Sequence, residues 1–259
     1  MEMIRRSCER AFTLLEMSVV LLIISVIVGG GIAVMNNSIN QRMYNETVTK
    51  METIQTALSQ YRNAFGRIPC PAGISFSIGK TTAPTFGTEV GTAGDGLCAG
   101  ASQIAGNVVA GAVPVKSLQL PDDFAFDGWG RRIYYVADRR FTTSNAFTTY
   151  PVSDITTGEI QVLDATGGII EGRAIQLLLS HGKDGHGAWN RQGASRINAA
   201  STNANQWSNC SCNATLVATP VFDANFVQAP IPLDGSSTTT TFDDMVLFNT
   251  RRTLASPSE

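Results

Sequence analysis

The residues of this chain whose types and spacing could do chemistry fall in four places. Glu16 is the one charge in an apolar run from Ala11 to Met35. An unpaired carboxylate in such surroundings costs about 2.5–3.5 kcal/mol on membrane-insertion scales, so its chemistry would be to attract a cation. Cys70, Cys98, Cys210 and Cys212 can form disulfides or bind a soft metal. His181 and His186, the only histidines, lie in Ser180-His181-Gly182-Lys183-Asp184-Gly185-His186-Gly187. Asp243-Asp244, just before the apolar Met245–Phe248, offers two hard oxygen donors side by side.

Catalysis needs more than these types. A nucleophile and its base must converge in space with a third group that orients the base. A glycine-rich turn leaving an apolar strand accounts for the Ser180–Gly187 residues equally well as a polar loop. Zinc would suit Cys210, Cys212, His181 and His186 chemically, but their separation along the chain matches no compact zinc module. No Walker-type phosphate loop or zincin helix is present. Net charge is −2 with a pI near 5.7, which excludes the basic face of a nucleic-acid binder.

The elements that must position these groups follow from periodicity. At about 1.5 Å of rise per residue, residues 12–35 form a helix able to cross a hydrocarbon core about 30 Å thick. A secretory signal peptide has a shorter apolar region, about 7–15 residues. Ile39, Met43, Val48, Met51, Ile54, Leu58 and Tyr61 recur at three- and four-residue spacings, continuing the helix in water with one apolar face. It ends near Gly66, before Pro69 and Pro71. From Ala72 to Gly111 the composition of Gly, Ala and Thr reads as a long connection. Asp127-Gly128-Trp129-Gly130 marks a turn, and Arg131–Val136 after it a strand. Further strands are expected at Ile160–Leu163, Ala174–Ser180, Leu216–Val221 and Met245–Asn249, with Thr- and Ser-rich loops such as Ala199–Asn209 between them. The fold class is α+β: a long N-terminal helix, membrane-spanning in its first half, packed on an antiparallel sheet. Of 259 residues, those from 66 to 259 suffice for one globular head with its own core.

The motif Phe12-Thr13-Leu14-Leu15-Glu16, behind a leader carrying Arg5, Arg6 and Arg10, closely resembles the type IV prepilin class, which includes type IV pilins and the pseudopilins of type II secretion. The resemblance implies a pilin-like fold and a leader of residues 1–11, cut between Ala11 and Phe12 by prepilin peptidase. Ala11 stands where that class usually has Gly. It further implies N-methylation of Phe12, whose new amine supplies the cation for Glu16. The helix is then expected to pack with other pilin or pseudopilin subunits into a filament, driven by an inner-membrane assembly platform and ATPase. The leader would face the cytoplasm, the helix would cross the inner membrane once and the head would be periplasmic.

Asp127-x-Trp129-Gly130 with its aromatic strand is similar to the first sheet strand of the major type II secretion pseudopilin. Asp243-Asp244 resembles the place where such proteins hold calcium, which makes calcium the one cofactor expected. Cys8 would leave with the leader. The remaining four cysteines in an oxidising periplasm imply two disulfides, with three connectivities open. Cys70 with Cys98 and Cys210 with Cys212 is preferred; the second closes a very short ring, so a crossed pairing or reduced thiols stay open. The expectation is a non-enzymatic filament subunit. The alternative is a membrane-anchored periplasmic enzyme or binding protein.

Overall fold

A computed structural model describes residues 13–79, 85–150, 158–216, 223–231 and 240–255, with the side chains of residues 27–37 and 255 outside the description. Helix α1 runs over Leu14–Phe65, and the chain divides into two compact units, Met1–Asn40 and Gln41–Glu259.

In the first unit the described helix surface is apolar and open: Leu14, Leu15, Leu21, Leu22 and Val26 are all exposed. Among the described residues no helix is long and apolar enough to cross a membrane. The span expected over 12–35 includes Phe12 and the side chains of 27–35, which lie outside the described residues.

The second unit is built on residues 41–65 of α1. Met51, Ile54, Leu58 and Tyr61 are buried at spacings of three and four, the stripe that an amphipathic helix turns toward a core. They face a five-stranded sheet of order β1-β2-β3-β6-β8, formed by Ser102–Ala105, Val108–Ala112, Tyr134–Asp138, Gln176–Ser180 and Met245–Asn249, with every neighbouring pair antiparallel. Alternate side chains of these strands serve two cores. Tyr135, Ala137, Leu178 and Met245 pack with the helix stripe. Val136, Leu177, Leu179 and Val246 pack on the other side with Ile160, Val162 and Phe226. Burial on both faces explains why Leu177, Leu178 and Leu179 are consecutive rather than alternating.

The second core is closed by a small sheet of order β5-β4-β7, with β4 Ile160–Leu163, β5 Ile169–Ala174 and β7 Asn225–Val227. Its β4–β7 pair is parallel; the antiparallel sheet expected against the helix is the five-stranded one. Two corrections concern stretches read as loops. The connection Ala72–Gly111 contains β1 and most of β2, whose small residues Ala110, Gly111 and Ala112 carry no strand signal. Ala199–Asn209 contains most of α3, Ala204–Cys210, begun by Asn203, whose side chain accepts from the N–H groups of Asn205 and Gln206. Helices α2, Ala146–Thr149, and α4, Arg251–Ala255, are single turns. The strand expected at Leu216–Val221 falls almost wholly outside the described residues.

Two devices join α1 to the sheet. At its end the Gly66 N–H bonds the Arg62 carbonyl at 2.8 Å, and Arg67 then pairs with Glu89 at 2.8 Å. At the Asp127 turn, Asp127 Oδ1 accepts from the N–H groups of Trp129 and Arg131 at 3.0 and 2.9 Å, and its Oδ2 accepts from Ser180 Oγ at 2.8 Å. The Gly128 N–H donates to Thr47 Oγ1 of α1 at 2.9 Å. A Cβ on Gly128 would strike the Met43 carbonyl oxygen, so the approach of turn to helix requires glycine there.

Candidate functional site

The first candidate site is the start of α1. Thr13 precedes the helix and Glu16 is its third residue. The Thr13 N–H and hydroxyl donate to Glu16 Oε2 at 2.9 and 3.0 Å, and the Glu16 N–H donates to Thr13 Oγ1 at 3.2 Å. This is a capping box, in which two otherwise unbonded backbone N–H groups are satisfied reciprocally. Its Thr-x-x-Glu spacing is visible in the sequence. The Glu16 carboxylate therefore has donors within its own chain while standing among exposed leucines and valines. Ala11 and Phe12 lie outside the described residues.

The second candidate site gathers the loop after β6, α3 and the start of β8. Asp243 Oδ2 accepts from the Asp184 N–H at 2.7 Å and its Oδ1 from Gln206 Nε2 at 2.5 Å. Asp244 Oδ2 accepts from Asn209 Nδ2 at 2.8 Å, and its Oδ1 lies 3.5 Å from His181 Nδ1 without hydrogen-bond geometry. Burial, with the nearby charges of Asp184 and Asp244, pushes the Asp243 carboxyl up to about 7. Burial likewise raises Asp244.

Calcium takes about 6–8 oxygen ligands. Among the described contacts the donors to Asp243 and Asp244 are nitrogens of Gln206, Asn209 and Asp184, and the Asp184 carboxylate joins the cluster through Gln206 Nε2 at 3.2 Å. Ser180, His181 and Asp244 do not form a relay, because the Ser180 hydroxyl donates to Asp127.

The cysteines are joined Cys70 to Cys98, with Cα atoms 5.4 Å apart, and Cys210 to Cys212, with Cα atoms 5.2 Å apart. The first link ties the chain after α1 to the segment before β1. The second lies at the end of α3, beside His186.

Comparison with known proteins bears on the first site. Residues 6–32 match the family model of the prokaryotic N-terminal methylation motif. The chain carries a type IV prepilin-like N-terminus. No curated protein and no solved structure matches it. The prepilin-like segment includes Ala11, Phe12 and Glu16, and its described part is the capped, apolar helix start.

Glu16 lies in the first unit, whereas Asp243, Asp244, His181 and His186 share one buried cluster of the second. Sequence reasoning missed Gln206 and Asn209 there, because they stand on a helix within a stretch that reads as loop.

Proposed function

We propose that this chain is a structural subunit of a type IV pilus-like filament, of the type II secretion pseudopilin kind. Prepilin peptidase removes residues 1–11, Phe12 is methylated, and the subunit is drawn from the inner membrane by an assembly platform and ATPase. The helices stack, and the Phe12 amine of one subunit pairs with Glu16 of another.

The observation that carries this reading is the motif match over residues 6–32. An exposed apolar helix surface suits it, since such a surface needs lipid or other helices around it. What favours the secretion branch is the Asp127-Gly128-Trp129-Gly130 turn seated on α1.

Mass spectrometry of the protein from its native membrane tests the proposal. A methylated Phe12 N-terminus, together with cross-linked ladders of the subunit, is the expected result. A native protein beginning at Met1 that still forms filaments would overturn it.

A further inference from the structure

The geometry points to a redox-gated site for a soft divalent metal, zinc being the first choice, made of His186, Cys210 and Cys212. One ligand atom from each lies within 4.8 Å of the other two, and all three residues are buried. Tetrahedral zinc with Zn–S bonds of about 2.3 Å and a Zn–N bond of about 2.0–2.1 Å sets its ligand atoms about 3.5–3.8 Å apart. The His186 nitrogen lies within 4.8 Å of both sulfurs and has to close by up to about an ångström to reach that spacing; the two sulfurs are bonded to each other and must separate.

A dithiol reductant supplies that change. It gives two electrons and two protons to the Cys210–Cys212 bond, becomes a disulfide itself and leaves two thiols. Zinc then forms two Zn–S bonds as both thiol protons depart, and His186 and a water complete four ligands.

The surroundings suit this chemistry. Arg196 Nη2 donates to the Cys210 carbonyl oxygen at 2.6 Å and its Nε to the Gly187 carbonyl oxygen at 3.0 Å, which ties the histidine loop to the end of α3. His186 Nε2 lies 2.9 Å from the Asn213 carbonyl oxygen, the kind of backbone contact that fixes a metal-bound imidazole and leaves the lone pair on Nδ1. The Ser201 N–H competes for that lone pair only at 3.5 Å. Cys210 also forms part of the wall of a cavity of about 180 Å³, with Gly187, Tyr134, Trp189 and Arg196. Gly187, whose Cβ would strike Cys210, keeps the histidine loop against the cysteines. His181 faces Asp244 and takes no part.

The test uses the full-length chain in detergent, reduced with a water-soluble phosphine that is then removed without oxygen. Cobalt(II) serves as the probe and zinc as the competitor. The expected result is one equivalent of cobalt with thiolate charge-transfer absorption, displaced by zinc, seen after reduction and not before it. Cys212→Ser should abolish the band, and His186→Ala should weaken binding at least tenfold. The absence of a band in reduced wild-type protein overturns the proposal. So does a band that survives both substitutions, since the metal would then sit on Cys70 and Cys98.

Discussion

Glu16 and Thr13 satisfy each other across the first turn of α1: one carboxylate oxygen takes both the N–H and the hydroxyl of Thr13 at 2.9 and 3.0 Å. The same acid thus starts its own helix and is the group that filament packing would use. The two roles can be separated. Thr13→Ala removes the hydroxyl and keeps the N–H, at an expected cost of about 1 kcal/mol, or about fivefold faster hydrogen exchange in the first turn. It should retain filament incorporation, whereas Glu16→Ala should lose it. Equal loss in cross-linking yield for both would assign the effect to the helix start rather than to the charge.

The Arg67–Glu89 pair anchors the end of α1 from within the head, both side chains being nearly buried. Burial opposes the charge on Glu89, but Arg67, the Cys70 N–H and the Tyr61 hydroxyl outweigh it and hold the carboxyl below its ordinary value of 4.5. Its contribution is therefore complete above pH 4.5 and lost as pH falls through the lower folded value. Glu89→Gln leaves Arg67 buried without its counter-charge and should cost about 3–5 kcal/mol at neutral pH. Its melting temperature should also depend less on pH in the acid range, as followed by circular dichroism.

Asp243 titrates in the opposite sense. Its carboxyl, ordinarily at 3.8, is pushed up to about 7. Between those values the folded state keeps a proton that the unfolded state has released, so stability falls as pH rises through the interval and levels off above it. Asp243→Asn should reduce that slope in a series of melting curves, the part due to Asp244, which burial also raises, being left. The nitrogen donors around Asp243 and Asp244 also predict no calcium-dependent rise in melting temperature. A rise of several degrees with calcium at pH 8 would restore these two residues as its ligands.

Gly128 and Thr47 test how the turn is seated on α1. Gly128→Ala drives a methyl group into the Met43 carbonyl and should cost about 1–3 kcal/mol. Thr47→Val removes the acceptor of the half-buried Gly128 N–H and should cost about 1 kcal/mol. Denaturant unfolding of the full chain in detergent measures both; a change under 0.5 kcal/mol in each, about the size of an ordinary surface substitution, would show that the turn is not held this way.

The long helix, its C-terminal stripe and the strands at Ile160, Gln176 and Met245 were legible because repeated apolar spacing needs no knowledge of neighbours. The prepilin-like motif was legible for the same reason: it is contiguous. The elements β1, β2, β5, β7 and α3 were not, being short or made of small or polar residues, because their structure comes from what they pack against. Asp243, Asp244 and the two histidines were visible as candidates, but whether they face oxygen or nitrogen is set by Gln206, Asn209 and Asp184, which arrive from other elements. Both histidines suit zinc by residue type, and only the folded chain separates His186, beside Cys210 and Cys212, from His181, opposite Asp244. Sequence alone determines the groups bound to one helix or strand by its period; the meeting of groups tens of residues apart is decided by how those elements bury their apolar faces.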